Sequence, residues 1–484
     1  MTPTVEKTAY EPVVGLEVHT ELATRTKIFC GCSTQFGAPP NSQTCPVCLG
    51  MPGVLPVLNR AAVEHALRVA LAMHCEISQP SIFERKNYYY PDLPKNYQIS
   101  QRRQPLGKNG RLEISVDGER KSVGIIDVHL EEDAGKLLHP QAANEYTLVD
   151  LNRAGMPLLE IISAPDLTGV AEVEVYMEEI RLLLLYLGAS EAHMEQGQLR
   201  FEVNISLRPV GSEQLGTRVE IKNLNSFRAV TGSIEHEIIR QTELLTKGER
   251  VAQETRLWDD ACGITISMRS KEHAQDYRYF PEPDLVPVVI DQAWIARAQA
   301  ELPELPAARR RRFMEQYGLA LSDARLLTAE RALADYFEQT VKLGADPKAA
   351  ANWIAGRMAR RMKEGNLEAA QIPLSPAHFA ELISLIDQGA ISSTGAREVF
   401  DEAFSSGKSP AAIVQEKGLA QIGDEGAITA AAQEVIAQNA EAAAKYRAGN
   451  EKVMSFLVGQ VMKASRGRAN PQVVQEVLRR LLSG

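Results

Sequence analysis

The chain has 484 residues, enough for about two to four domains, and its hydrophobic content of 44% can supply sizeable cores. Its net charge of −9 argues against a generic nucleic-acid-binding protein, although residues 441–484 are basic. No stretch approaches the roughly 18 consecutive apolar residues of a membrane span, and the polar start does not resemble a signal peptide, so we expect a cytoplasmic protein.

The first predicted element is the strand PVVGLEVHTEL (12–22), in which apolar and polar residues alternate. Leu16 and Val18 fall on one face, and Glu17 and His19 fall on the other. The same alternation recurs later, with Glu202 on the polar face of RFEVNISLR and with Glu220 and Lys222 on that of RVEIKNL. These patterns predict strands of a sheet with one buried face.

Four cysteines lie close together as two pairs of short spacing, a pattern typical of a metal site and not of a secreted disulfide framework. The expected zinc ligands are Cys30, Cys32, Cys45 and Cys48. Because four thiolates close a tetrahedral shell, this zinc would be structural. The alternative is four free cysteines with incidental spacing. The isolated Cys75 and Cys262 are expected to be buried apolar side chains.

Two segments combine aromatic and basic residues, namely RKNYYYPDLPKNYQISQ (85–101) and DYRYFPEPDL (276–285). Aromatic faces can stack on bases while cations hold phosphate, so both segments could bind a nucleotide or an RNA end. The competing interpretation is packing of loops anchored by proline.

Further carboxylates lie in HLEEDAGK (129–136) and in the apolar run PLLEIIS (157–163), where an unpaired Glu160 would be costly to bury. Carboxylates on neighbouring strands repel unless a cation neutralises them, and magnesium prefers such oxygen ligands. The alternative for each is a solvated strand face.

The composition changes near ELPELPAARRRR (301–312), where Pro306 suits a helix start. Strand patterns then give way to Ala-rich helical periodicity, with a second break at FSSGKSP (404–410). We therefore expect three domains, which span residues 1–296, 297–406 and 407–484.

The last domain carries a group of cations beside Gly467 and Pro471, as if a loop between two helices presents them to phosphate. The expected RNA-binding residues are Lys463, Arg466 and Arg468. A solvated helical face is the alternative.

Long segments of the chain resemble the B subunit of the tRNA-dependent amidotransferases. The matching segments are GLEVHTEL (15–22), MPGVLPVLN (51–59), residues 85–101, HLEEDAGK (129–136), LVDLNRAGMPLLEIIS (148–163), NISLRP (204–209), EIKNLNSF (220–227), residues 276–285 and FLVGQVMKASRGRANP (456–471). They span nearly the whole chain and are specific to that family.

The resemblance implies an α+β fold, in which a glutamine-synthetase-like cradle domain precedes an all-α helical domain and a small all-α tail domain. It implies ATP-dependent phosphorylation of the side-chain carboxylate of Glu-tRNA(Gln) or Asp-tRNA(Asn), followed by amidation to Gln-tRNA(Gln) or Asn-tRNA(Asn). The ammonia would come from an amidase, the A subunit, which is held with the small C subunit in a heterotrimer. The cognate non-discriminating aminoacyl-tRNA synthetase is a further expected partner. The implied cofactors are ATP, magnesium and structural zinc.

Residue by residue, the resemblance assigns magnesium to Glu17, His19, Glu132, Glu160, Glu202 and Glu220. We assign nucleotide binding to Lys86, Tyr88 and Lys222. At Glu202 the sequence departs from the family pattern Arg-Cys-Asp-x-Asn, so a longer carboxylate would have to reach the metal. The alternation places Glu131 on the face of Asp127 and His129, whereas the resemblance selects Glu132, which we take as the expected ligand.

Two other classes of function compete with this interpretation. A non-catalytic adaptor that only presents tRNA to the amidase would need the basic tail, but not carboxylates on otherwise apolar strands. A glutamine-synthetase-like enzyme for a small substrate would need the carboxylates, but not the tail.

Overall fold

The computed structural model describes residues 10–138, 146–268, 277–421, 425–465, 469 and 471–483. Its strands are β1 (Tyr10–Glu21), β2 (Glu76–Ile77), β3 (Glu84–Asn87), β4 (Tyr97–Ser100), β5 (Gly107–Val116), β6 (Glu119–Glu132), β7 (Lys136–Leu138), β8 (Leu148–Asp150), β9 (Pro157–Ser163), β10 (Leu199–Pro209), β11 (Val219–Leu224), β12 (Thr255–Asp259), β13 (Ile264–Ser267) and β14 (Phe280–Pro281).

Most of these strands form one sheet of nine strands, in the order β13-β12-β11-β10-β1-β9-β6-β5-β2. All neighbours are antiparallel except β11 and β12, which run parallel and are joined through a helix. Two smaller sheets have the orders β14-β3-β4 and β7-β8. The first strand of the chain therefore lies in the middle of the large sheet.

Three helices supply the apolar partners of the sheet: α1 (Arg60–Ala72), α2 (Val170–Leu187) and α3 (Phe227–Thr246). Asn59 caps α1 by accepting a hydrogen bond from the Ala61 amide, and Ser226 caps α3 by accepting one from the Ala229 amide. Their buried side chains share one hydrophobic core with Leu16, Val18 and the equivalent residues of the neighbouring strands. Because side chains alternate along a strand, the polar residues between them lie on the opposite face of the sheet.

The remaining helices are α4 (Gln292–Ala300), α5 (Pro306–Tyr317), α6 (Leu321–Leu327), α7 (Arg331–Lys342), α8 (Pro347–Trp353), α9 (Ala359–Gly365), α10 (Pro376–Asp387), α11 (Ser393–Ser406), α12 (Pro410–Lys417), α13 (Glu425–Gln438), α14 (Ala440–Arg447), α15 (Val453–Ala464) and α16 (Pro471–Ser483). A π-helical turn (Ile354–Met358) joins α8 to α9, and a 3₁₀ turn (Ala369–Gln371) follows α9. The expected mixed α/β first part and helical second part are confirmed. Within the described ranges, no helix is long and apolar enough to cross a membrane.

The chain divides into two compact units, Met1–Ala308 and Arg309–Gly484. Pro306 begins α5, as its position predicts. The second unit contains two hydrophobic cores, one formed by residues 313–414 and one by residues 428–482.

The expected boundary at residue 407 does not coincide with a gap between these two cores. α12 contributes Ile413 and Val414 to the first core, although it follows that boundary. Gly407, at φ 71°, ends α11, and Ser409 caps α12. The Gly and Pro signals there therefore mark a turn between two helices of one core.

Candidate functional site

The polar face of the sheet brings together carboxylates from strands that are distant in the sequence. Glu17 of β1 is directly opposite Glu202 of β10, and His19 of β1 is opposite Glu160 of β9. On the far side of β10, Asn204 is opposite Glu220 of β11. The site is thus assembled by the register of four adjacent strands.

One cluster consists of Glu17, Glu202 and Glu220. One carboxylate oxygen of each residue lies within 4.8 Å of those of the other two. The Lys222 ammonium donates to Glu202 at 2.7 Å and lies 3.1 Å from Glu220. Asn204 donates to Glu17 at 2.9 Å. The cluster is an oxygen-rich site in which one lysine already offsets part of the negative charge.

The electrostatics of this cluster favour a bound cation. Burial, together with the charges of Glu160 and Glu202, raises the pKa of Glu17. Although burial alone would raise the pKa of Glu220, the charge of Lys222 and a hydrogen bond from Thr255 lower it. Three carboxylates facing one lysine leave an excess of negative charge, and a divalent cation with oxygen preference would relieve that repulsion.

The second cluster consists of His19, Glu131 and Glu160. His19 Nε2 lies 3.6 Å from Glu160 and 3.8 Å from Glu131. Burial alone would lower the pKa of His19, but the charges of Glu160 and Glu131 raise it to about 9. Since Glu131 is buried beside Glu160, its own pKa is raised.

His129 orients this second cluster, and the sequence analysis did not assign it a role. One ring nitrogen, Nδ1, lies 2.7 Å from Asp127, and the other, Nε2, lies 3.0 Å from Glu160. Burial opposes charging of His129, yet Glu160 and Asp127 raise its pKa well above the usual value. The pKa of Glu160 is correspondingly lowered by His129 and His19 despite burial. The alternation of Asp127, His129 and Glu131 along β6 was the available signal.

Glu132, the ligand selected by resemblance, does not join either cluster. It forms a buried ion pair with Lys95 and accepts a hydrogen bond from the Ile99 amide at 2.9 Å. It lines a cavity of about 220 Å³ together with Lys95, Tyr97 and Gly155. Glu131 instead lies with His19 and Glu160, because neighbouring residues of a strand point to opposite faces.

A mixed-charge group extends the polar face beyond His19 and was also not identified from the sequence. Asp133 accepts from Arg200 at 2.5 Å and lies 3.5 Å from Arg153. Burial and the nearby Asp133 raise the pKa of Glu21 to about 7. Glu21, Asp133 and Arg153 lie in motifs quoted above, but nothing in the sequence indicated that they meet, because the members of the group come from β1, β10 and two loops.

The two aromatic-basic segments meet beside the second cluster, since β14 pairs with β3. The Asn87 amide donates to Tyr277 O at 2.9 Å, and the rings of Tyr88 and Tyr277 lie 6.1 Å apart. The Lys86 ammonium lies 5.2 Å from the centre of the Tyr277 ring. Burial opposes its charge, but Glu131 contributes to a net increase in the pKa of Lys86. Of the expected nucleotide-binding residues, Lys86 and Tyr88 therefore lie here and Lys222 lies at the first cluster.

The four clustered cysteines converge in a geometry that suits zinc. Their Sγ atoms lie within 4.8 Å of one another, and the Sγ atoms of Cys45 and Cys48 are 3.9 Å apart. Zinc–sulfur bonds of about 2.3 Å in a tetrahedron separate the sulfurs by about 3.8 Å. Hydrogen bonding from Cys30 lowers the pKa of Cys48, while the same contact raises the pKa of Cys30. Cys75 is buried as expected. Cys262 is exposed in a turn, so the expectation that it is buried is wrong.

Of the three expected RNA-binding cations, only Lys463 lies among the described residues. Lys463 is exposed in the final turn of α15. Arg466 and Arg468 lie outside the described residues. Their role stays a prediction from the sequence.

Comparison with known proteins finds relatives that match nearly the whole chain. Residues 12–296 match the GatB/GatE catalytic domain, and residues 335–482 match the GatB domain. A protein of Carboxydothermus hydrogenoformans is 54% identical over 97% of this chain and 98% of its own length. A protein of Geobacter sulfurreducens is 53% identical over 98% of this chain and 100% of its own length.

Both relatives are named as the B subunit of aspartyl/glutamyl-tRNA(Asn/Gln) amidotransferase, as is one from Thermodesulfovibrio yellowstonii that is 51% identical over 98% of this chain and 99% of its own length. The matched regions include the strands of both acidic clusters and the four cysteines. The resemblance noted in the sequence is confirmed, and the chain belongs to the GatB family of amidotransferase subunits.

Proposed function

We propose that this chain phosphorylates the side-chain carboxylate of Glu-tRNA(Gln) or Asp-tRNA(Asn) with ATP and then catalyses its amidation by ammonia. The observation that carries the proposal is the pair of adjoining clusters on the polar face of the sheet, Glu17/Glu202/Glu220 and His19/Glu131/Glu160. Family membership supports the tRNA-dependent reaction, because the relatives are named for aspartyl- and glutamyl-tRNA.

The proposed chemistry asks for positioning and charge neutralisation more than for a nucleophile of the protein. A carboxylate is a poor electrophile, and phosphorylation converts its oxygen into a good leaving group that ammonia can displace. Magnesium bound by the carboxylates would neutralise phosphate charge. Lys222 and Lys86 are placed at the two clusters, where an ammonium can contact anionic substrate oxygens.

Three candidate functions differ in what triggers ATP hydrolysis. The complete complex would be assayed for phosphate release with misacylated tRNA, with uncharged tRNA and with free glutamate or aspartate. Hydrolysis that requires misacylated tRNA is the expected result. Hydrolysis with the free amino acid would instead indicate a small-substrate enzyme, and the absence of hydrolysis would indicate a tRNA-binding adaptor.

The two neighbouring glutamates of β6 give a prediction that separates the geometric assignment from the one by resemblance. Glu131→Gln should slow tRNA-dependent ATP turnover by about tenfold more than Glu132→Gln, because Glu131 alone lies with His19 and Glu160. Steady-state phosphate release with saturating misacylated tRNA is the measurement. The reverse order of effects would restore Glu132 as the ligand.

The tail is expected to set the affinity for tRNA and not the chemistry. Deletion of residues 422–484 removes the second helical core but keeps α12, which belongs to the first. Loss of cations that contact phosphate should raise KM for aminoacyl-tRNA, by a factor that decreases as salt increases. Amidation rates against tRNA concentration at two salt concentrations test this expectation. An unchanged KM with a lower kcat would assign the tail to catalysis.

A further inference from the structure

Lys27 is a fully buried lysine whose charge the proposed function does not use. Its side chain is 0% exposed, and its Nζ contacts Ala154 O at 2.7 Å, Leu151 O at 3.3 Å and Cys48 Sγ at 3.7 Å. Buried lysines are normally paired with a carboxylate, because an isolated buried charge is costly. Within the described part of the chain, Lys27 forms no such ion pair. Its ammonium contacts the sulfur of Cys48 instead of a carboxylate.

The charge of the cysteine cluster accounts for this partner. A zinc ion with four thiolates carries a formal charge of about −2. The Cys45 amide donates to Cys48 Sγ at 3.2 Å, which spreads some of the negative charge. An ammonium at the same sulfur supplies a full opposite charge, and buried ionic groups are stable only when they are compensated in this way.

The two carbonyl partners of Lys27 belong to the turn of residues 151–155, which leads into β9. The same turn is held by the Ile28 amide, which donates to Gly155 O at 3.0 Å, and by the Gly155 amide, which donates to Asp133 O at 2.9 Å. It therefore lies between the cysteine site and the end of β6, next to the strands that carry Glu131 and Glu160.

We infer that Lys27 is the buried counter-cation of the cysteine metal centre and a positioning residue that ties the centre to the turn before β9. With metal bound, its ammonium offsets charge on the Cys48 thiolate while its other hydrogens hold the turn. The inference rests on metal binding by the cysteines and is independent of phosphoryl transfer.

The test uses the full chain without ATP or tRNA, so its failure would leave the proposed phosphorylation standing. Lys27→Gln keeps a hydrogen-bond donor but removes the charge, and Lys27→Met removes both. Zinc affinity, measured by competition with a chromogenic chelator, should fall about 10- to 100-fold in both variants. The exposed Lys247→Gln provides the matched control and should bind zinc as the parent does.

Two further measurements separate the charge effect from a general loss of structure. In the cobalt-substituted protein, the sulfur-to-cobalt charge-transfer band should move to lower energy in Lys27→Gln, since the sulfur electrons are less stabilised. Hydrogen exchange of the Ile28 amide should increase more in Lys27→Met than in Lys27→Gln. An unchanged zinc affinity and an unchanged cobalt band in Lys27→Gln would overturn the inference, as would a parent chain that binds neither metal.

Discussion

Glu17→Gln is expected to reduce ATP-dependent phosphorylation of the aminoacyl-tRNA by about 10²-fold or more. The substitution preserves shape but removes a charge from the cluster formed with Glu202 and Glu220. Burial and the charges of neighbouring carboxylates raise the pKa of Glu17. A cation beside Glu17 would therefore stabilise its ionised form. In the proposed reaction, loss of this charge would weaken binding of the magnesium that neutralises phosphate charge. Single-turnover formation of phosphorylated product is the direct measurement.

Glu11→Gln supplies a control on the same strand and the same face. Glu11 accepts a hydrogen bond from Arg208 at 2.7 Å and belongs to neither acidic cluster. It should retain nearly full phosphorylation activity. If the expected amidase subunit is the partner of this chain, its glutaminase activity should survive at least in part in Glu17→Gln. Near-normal ATP turnover in both Glu17→Gln and Glu220→Gln would reject the cluster as the phosphoryl-transfer site.

Cys45→Ser should remove bound zinc and lower thermal stability strongly. Structural zinc contributes binding free energy of roughly 10 kcal/mol or more to folding in small zinc domains, so losing one ligand should cost several kcal/mol locally. The parent chain should contain about one zinc per molecule by metal analysis. Protein that remains folded should lose less of its intrinsic chemistry than of its stability, because a closed four-thiolate site leaves no coordination position for substrate.

Cys262→Ser is the matched cysteine control, since Cys262 is exposed and distant in sequence from the cluster. Its melting temperature and zinc content should equal those of the parent. Chelator treatment of the parent should reproduce the lower stability of Cys45→Ser. Metal-free parent protein with unchanged thermal stability would contradict a structural zinc.

Much of the site was predictable because strand alternation is a local property. The period of two placed Glu17 and His19 on one face of β1 and favoured Glu131 over Glu132 on β6. The spacing of the four cysteines likewise predicted their convergence. In each case, the signal lies within one short segment of the chain.

The missing parts depend on which strands become neighbours, and that information is not local. His129 contacts Glu160 only because β6 and β9 pair in one particular register. Lys222 pairs with Glu202 across β10 and β11. Lys27 has no sequence signal of burial, because its partners Leu151 and Ala154 are more than 120 residues away. Tertiary contacts of this kind decide the electrostatics of the site.

The predicted boundary at residue 407 rested on the glycine and proline signals of residues 404–410. Proline and glycine punctuate turns within one core as readily as linkers between cores. α12 illustrates this, because Ser409 and Pro410 begin a helix that packs with α10 and α11. Only the burial of Ile413 and Val414 separates the two possibilities.

The central position of β1 also has a consequence for how the protein acquires its structure during synthesis. β1 ends at Glu21, but both strands that flank it, β9 and β10, are completed only at Ser163 and Pro209. At translation rates of about 5–20 residues per second, the interval is on the order of 10 s. Throughout it, the β1 segment, which has one apolar face, lacks both of its native partner strands, so its unpaired backbone groups are open to pairing with other chains before the sheet closes.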